Sequence, residues 1–416
     1  MSLLLKNCRF LVTQNPKRDI VEDTDVLIEE NGISRIGRGL KGNEIIDCSK
    51  SLVMPGLVNT HTHISMTGLR GVADDVILED FLKKTYAIDS KLTEKDVYEG
   101  ALLGCLESIK FGTTCFNDLY YFEDEIAKAA VELGLRANLA WAVLDKDKTT
   151  QKGDPADNCE GFVKRWKGKN ELVTPEVGVQ GVYSASEETY VRANDIAKKH
   201  GLRKHTHLSE TRKEVYDHVK KSGKRPVEFL DGIGFLDDKT TAAHCVWLTK
   251  REMDIIAKKG VNLSHNPTSN LKLASGGLAP VPEMLERGVN VCLGTDSCAS
   301  NNNLDLFKEM KLAALLHKNA KWDATLVPAQ TALDMATING AKALGINAGS
   351  IEEGKLADIL IIGLRKPHLA PMNDVVSNIV YSMSGSDVDT SIINGKVVMG
   401  NRVVENEFKI IDGLSK

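Results

Sequence analysis

Between residues 57 and 296, short apolar runs alternate with amphipathic stretches, and four of those runs stop on a histidine or an aspartate. Such alternation restricts a chain to a parallel sheet whose strands are joined by helices. Strand candidates are 57–63, 113–117, 139–143, 177–182, 204–207, 241–244, 261–264 and 289–296. Helical stretches between them include 92–111, 124–133 and 186–199. Ser186 opens the last as an N-cap, with Glu187 and Glu188 in its first turn, and His200-Gly201 closes it. Eight strand–helix units in about 300 residues predict an α/β fold closed into a TIM-like (β/α)8 barrel. An open doubly wound sheet is the rival, but it favours a glycine-rich phosphate loop after its first strand, and none is present. The order and spacing of Gly349-Ser350-Ile351-Glu352-Glu353-Gly354-Lys355 do not match such a loop.

The two ends read differently. Residues 3–5, 25–29 and 44–47 are strand-like, with Asn31-Gly32 as a hairpin turn. Residues 357–362 precede a second hairpin signature at Asn394-Gly395. The two ends are expected to meet in one small β-sandwich, formed by residues 1–54 and 356–416, with the barrel over 55–355. A formal charge of -4 with no basic cluster argues against nucleic acid or an anionic membrane as partner. No run approaches the roughly 20 apolar residues of a membrane span, and three leucines before Lys6 are too few for a secretory segment. The eight cysteines are scattered without a C-x-x-C pair, so they read as buried thiols of a cytoplasmic protein.

Chemistry concentrates at the strand ends. In His61-Thr62-His63 the two imidazoles stand at i and i+2, on one side of a strand, and can face one ion. His207 closes another strand, with Glu210 three residues later in the turn: one group to bind metal, one to move a water proton. His205 shares the side of His207 one layer lower and reads as structural. His244 and Asp296 end two further strands. Taken singly, these are a hydrogen-bonded histidine pair and a helix cap; together they converge on the face where barrel sites are built. Three imidazoles and one carboxylate around Zn²⁺ leave a net charge of about +1, which still acidifies water strongly. His61, His63, His207 and Asp296 are therefore the expected ligands of one divalent ion. Glu210 would carry the proton and pass it to the departing nitrogen of the substrate it contacts. His244 would orient the water or stabilise charge on the adduct, with Asp296 sharing the proton traffic. A second ion would need a bridging group near residues 176–183, which contain no lysine or histidine.

Several segments closely resemble the amidohydrolase superfamily, in its one-metal deaminase branch. They are Pro55-Gly56-Leu57-Val58-Asn59-Thr60-His61-Thr62-His63, His207-Leu208-Ser209-Glu210-Thr211, His244-Cys245-Val246, residues 264–274 and residues 294–302. The chain is most similar to the deaminases of methylthioadenosine, S-adenosylhomocysteine and 5′-deoxyadenosine. That resemblance implies zinc or iron as the ion, a homo-oligomer, and a small aminated purine or nucleoside as substrate. In those enzymes a glutamate grips the ribose hydroxyls; the neighbourhood here aligns Asp89 with it. An arginine and a histidine of the family pattern correspond to Trp141 and Gln180, which depart from it, and Ser300 is a further candidate substrate contact.

The expected reaction is removal of the 6-amino group of an adenosine derivative. The alternatives are a free aminated heterocycle (guanine, an oxidised purine, a pterin or a triazine) or hydrolysis of a cyclic amide. Ser275-Gly276-Gly277 reads as a mobile connection beside the site, and Met66, Trp247 and Phe307 as packing residues.

Overall fold

A computed structural model of the protein describes residues 2–414. The chain ends build one mixed sheet. Its strands are β1 (Ser2–Val12), β2 (Ile20–Glu29), β3 (Gly32–Gly37), β4 (Glu44–Asp47), β5 (Ser51–Pro55), and, from the far end, β14 (Ile359–Gly363), β15 (Val388–Ile393) and β16 (Lys396–Met399). Their order is β16-β15-β14-β5-β1-β2-β3, with β4 also paired to β1. The sheet branches at β1: Leu3 to Lys6 run beside β4, whereas Phe10 and Leu11 run beside β5. Between these halves the register of β1 shifts around Asn7, whose φ is 55°. The expected sandwich is thus a single branched sheet enclosing its own core, with Leu5, Leu11, Val26, Val53 and Ile361 among the buried residues. The two ends of the chain join where β5 and β14 pair antiparallel, Val53 opposite Ile361.

Both hairpins form. Asn394 and Gly395, at φ 52° and 76°, make the two-residue turn between β15 and β16 as read from the sequence. The first turn falls one residue earlier than expected: Glu29 pairs with Gly32, so Glu30 and Asn31 form the loop, with Glu30 at φ 55°.

The middle of the chain forms eight parallel strands in sequential order: β6 (Leu57–Thr62), β7 (Thr113–Tyr120), β8 (Arg136–Val143), β9 (Val173–Val179), β10 (Lys204–Leu208), β11 (Thr240–His244), β12 (Asn262–His265) and β13 (Val291–Leu293). Almost every residue in them is buried, as expected when helices cover the outside and side chains fill the inside. The seam between β6 and β13 is joined by individual bonds rather than a ladder. Thr60 Oγ1 donates to the Leu293 carbonyl (2.9 Å), and the Asp296 N–H donates to the His61 carbonyl (3.0 Å). β13 is shorter at both ends than the sequence reading, and Gly294 just after it is closely packed: a Cβ there would lie 2.4 Å from Asn266 Oδ1.

Two further contacts position the barrel. The turn Ile64–Leu69, directly after His63, lies on the helix Glu94–Lys110; a Cβ on Gly100 would come within 2.2 Å of the Ser65 carbonyl. Arg136, at the start of β8, forms a buried pair with Asp358 (3.0 and 3.2 Å) and also donates to Asn394 Oδ1 (3.1 Å). This ties the terminal sheet to the barrel at the end opposite the histidines. The helix Glu187–His200 starts from Ser186 and stops at Gly201 in the left-handed conformation, as its sequence required.

Candidate active site

The ends of β6, β10 and β11 and the turn after β13 bring four imidazoles and a carboxylate together. His61 Nε2 and His63 Nε2 lie 3.7 and 3.5 Å from Asp296 Oδ1, and His63 Nε2 is 3.3 Å from His207 Nε2. His244 Nε2 lies 3.8 Å from Glu210 Oε2 and 4.0 Å from Asp296 Oδ2.

Proximity alone yields two overlapping ligand groups, His61 with His207 and His244, and His61 with His63 and Asp296. The hydrogen bonds of the outer ring nitrogens separate them. His63 Nδ1 faces the Leu119 carbonyl and His207 Nδ1 faces the Gln180 carbonyl, each at 2.6 Å. A carbonyl only accepts, so both rings carry their proton on Nδ1 and present an Nε2 lone pair inward. His61 Nδ1 lies 2.9 Å from His205 Nε2, and His61 Nε2 is buried without a hydrogen-bond partner. His244 is the opposite tautomer. Asn270 Nδ2 (3.0 Å) and Asn266 Nδ2 (3.4 Å) both donate to its Nδ1, which leaves the proton on Nε2, directed at Glu210 and Asp296.

Two lone pairs, the unpartnered His61 Nε2 and a carboxylate oxygen thus converge while the fourth imidazole offers a proton. That donor set fits a tetrahedral divalent ion: Zn–N bonds of about 2.0–2.1 Å imply nitrogens about 3.3 Å apart, the separation of His63 and His207. The neutral state the lone pairs need is favoured by burial, which lowers His61 and His207 well below the usual histidine range; neighbouring imidazoles add to it.

Asp296 is held from behind. Ser269 Oγ donates to its Oδ2 (2.6 Å) and the Ser297 N–H to its Oδ1 (2.6 Å). Ser300 stands one bond further back, its hydroxyl 2.9 Å from Ser269 Oγ and 3.1 Å from Ser297 Oγ. Burial, and then the charge of Asp296, push the Glu210 carboxyl up to about 8. The turn carrying it is fixed by Glu214, which accepts from the N–H groups of Ser209 (3.0 Å) and Glu210 (2.8 Å).

The other expected residues are each held by a neighbour. Asp89 ends the helix Leu78–Asp89; one of its carboxylate oxygens accepts from the Tyr120 hydroxyl, and its carbonyl accepts from the Tyr121 hydroxyl (2.7 Å). Burial raises the Asp89 carboxyl, against the pull of the tyrosine hydroxyls. Trp141 Nε1 donates to Gln151 Oε1 (2.8 Å), which pins the loop after β8. Gln180 meets His207 through its main-chain oxygen, while its side chain pairs with the Tyr183 hydroxyl (3.4 Å). The Ser275-Gly276-Gly277 connection, expected to be mobile, is seated on Trp247, whose indole donates to the Ser275 carbonyl (2.8 Å).

Ser269, Asn270, Glu214, Tyr120 and Tyr121 were not singled out from the sequence. Glu214 had a readable signal, since Thr211 caps the helix Arg212–Ser222 and Glu214 sits at its third position.

The amidohydrolase family model matches residues 52–398. A 5′-deoxyadenosine deaminase of Methanothrix thermoacetophila is 46% identical over 396 residues, covering 94% of each chain. A 5-methylthioadenosine/S-adenosylhomocysteine deaminase of Acetivibrio thermocellus is 45% identical, covering 99% of this chain and 96% of its own. The crystal structure of an adenosine deaminase from Xanthomonas campestris with bound zinc superposes with a TM-score of 0.95 at 31% identity, over 99% and 97% of the two chains.

Proposed function

Because this chain belongs to the amidohydrolase family, we propose that it hydrolyses an adenosine derivative of the 5′-deoxyadenosine, methylthioadenosine or S-adenosylhomocysteine type to the inosine derivative and ammonia. It is a metal-dependent hydrolase acting on C–N bonds. The observation that carries the reading is the division of the histidines: His63 and His207 turn lone pairs toward the unpartnered His61 Nε2, and His244 presents a proton.

His61, His63, His207 and Asp296 would hold one ion, zinc or iron. The single ion is supported by β9, whose last residues Gly178 and Val179 supply no bridging group. When bound, such an ion acidifies water and withdraws negative charge from the addition product. Glu210 accepts the proton of the attacking water and passes it to the departing 6-amino nitrogen. His244 donates from Nε2 to the oxygen being added at C6. Ser269 and Ser297 keep the Asp296 carboxylate from rotating. Asp89 accepts from the ribose hydroxyls, its other contacts with Tyr120 and Tyr121 fixing its direction. Trp141 and Gln180 are the further substrate contacts of this reading, and Gln180 can offer both donor and acceptor to a purine edge. Ser300 acts on the substrate side only through Ser269 and Asp296.

All eight cysteines are buried and unpaired, which favours a reducing compartment such as the cytoplasm. Among the described residues, no helix is long and apolar enough to cross a membrane. The homo-oligomer implied by the family likeness is open to sedimentation analysis.

Ammonia release and ultraviolet change, followed across adenosines, free purine bases, pterins and triazines, test the substrate class. Fastest turnover is expected on 5′-modified adenosines. Preferential turnover of guanine or a triazine would overturn the assignment while leaving the hydrolase intact.

A further inference from the structure

The imidazoles of His63 and His207 are oriented by main-chain carbonyls, but that of His61 is oriented by another side chain. His205 Nε2 lies 2.9 Å from His61 Nδ1, and His205 Nδ1 lies 2.6 Å from Asn117 Oδ1. Asn117 Nδ2 then donates to Glu176 Oε2 (3.0 Å), whose other oxygen accepts from Asn138 Nδ2 (2.7 Å). These side chains come from β6, β10, β7, β9 and β8 and cross the barrel interior. None has solvent exposure, so bulk water does not replace a missing partner.

The line has only one consistent direction. Burial raises the Glu176 carboxyl, but the amides of Asn138 and Asn117 and the charge of Arg203 oppose it. With an amide nitrogen at each oxygen Glu176 is the acceptor, so Asn117 turns its nitrogen to Glu176 and its oxygen to His205. That oxygen also only accepts, so the single ring proton of a neutral, enclosed His205 is on Nδ1. His205 Nε2 therefore accepts, His61 Nδ1 donates, and the His61 Nε2 lone pair is left facing the cluster, where it has no other partner. Ligand histidines commonly donate to a carboxylate or carbonyl directly; here a second imidazole is interposed.

We infer that Glu176, Asn117 and His205 are positioning residues that set the tautomer and ring orientation of His61 through this line. The inference rests on His61 being a metal ligand, as proposed above. It has a specific corollary. Asn117 is two bonds removed from His61, yet replacing it with an apolar residue frees His205 to carry its proton on Nε2, facing the His61 N–H.

Zinc affinity, measured by competition with a chromophoric chelator, and the visible spectrum of the cobalt(II)-loaded enzyme test this without reference to turnover. His205→Leu removes the acceptor, whereas His205→Gln returns an amide oxygen close to the former Nε2. The Leu variant and Asn117→Leu should bind zinc about 10- to 100-fold more weakly and alter the cobalt spectrum. The Gln variant should stay within a few-fold of wild type. A folded Leu variant with wild-type affinity and spectrum would overturn the inference, as would a Gln variant as weak as Leu. Should the Leu variants not fold, ¹⁵N spectra of the histidine rings in the zinc-loaded wild type decide. His205 protonated on Nδ1 supports the line, and His205 protonated on Nε2 refutes it. A wild type that binds no zinc, iron or cobalt defeats the metal reading itself, and the same ring spectra of the metal-free protein then judge the line separately.

Discussion

Asp296 and His61 meet twice: the Asp296 N–H donates to the His61 carbonyl at 3.0 Å, and the Asp296 carboxylate lies 3.7 Å from the His61 imidazole. The first contact joins the last barrel strand to the first, and the second belongs to the polar cluster. Closure of the barrel and assembly of the site are one event.

Metal removal should therefore loosen the whole barrel. An ion bound only by the folded chain stabilises it by about 4 kcal/mol when its free concentration is a thousand times Kd. Chelation should lower Tm, and restoring about one equivalent should recover it. His63→Ala should lose metal and activity together. Elemental analysis finding two equivalents per chain, both required for turnover, would exclude the one-ion site.

Glu210→Gln keeps the shape of the side chain but cannot take up a proton. Metal content and fold should be retained while kcat falls by about 10²–10⁴-fold. Unchanged kcat at full occupancy would show that the proton travels elsewhere. His244→Asn should also slow turnover while sparing the metal if, as proposed, the ring donates rather than ligates.

How much of this was legible in the sequence depends on whether a feature is set by one strand or by several. His63, His207, His244 and Asp296 were readable because each stands where its own apolar run stops, and His61 because it lies two residues before His63. The tautomers were not, because each is dictated by a distant partner: Leu119 for His63, Gln180 for His207, Asn270 for His244. The line through Asn117 and Glu176 is hidden for the same reason, since polar residues inside an apolar strand carry no period of their own. The first hairpin lies one residue earlier, with Ile28 opposite Ile33 and Glu30 left-handed in the turn, a register set by pairing across two strands that the Asn-Gly pair alone does not encode. Asp89 came only from family likeness. Nothing in its helix foretold that Tyr120 and Tyr121, from β7 and the residue after it, would reach it.

Asp89→Ala tests the sugar contact. Charge-assisted hydrogen bonds are worth roughly 1.5–3 kcal/mol, so kcat/KM on a ribonucleoside should fall about 10- to 150-fold. A 2′-deoxy substrate should show a comparable loss with the wild type, and the two losses should not add. A free base or a 2′,3′-dideoxynucleoside handled as well as the ribonucleoside would remove the sugar from the account.

Glu309 gives a pH test at a buried carboxyl behind the Asp296 turn. Its carboxylate accepts from the Thr268 N–H (3.1 Å) and Asn301 Nδ2 (2.8 Å), but burial outweighs both and pushes it from 4.5 up to about 7. The folded chain holds this proton where the unfolded chain has released it. Its stabilising contribution is thus complete below about pH 4.5 and lost as pH rises through about 7. Glu309→Gln cannot ionise. Relative to wild type, its stability should improve by about 2–3 kcal/mol between about pH 5 and pH 8. Denaturation midpoints with identical pH dependence in both proteins would count against the assignment.

The pairing of β5 with β14 also sets a timetable for synthesis. Val53 waits for Ile361, about 300 residues later; at roughly 5–20 residues per second that is about 15–60 s on the ribosome. Throughout that interval β5 has β1 on one side and an open, apolar edge on the other, the kind of edge that recruits strands from neighbouring chains. All eight barrel strands emerge before β14 does. A nascent chain stalled before residue 359 would therefore carry every side chain of the proposed metal site and still expose an aggregation-prone edge, so pauses in translating the final strands should lower soluble yield.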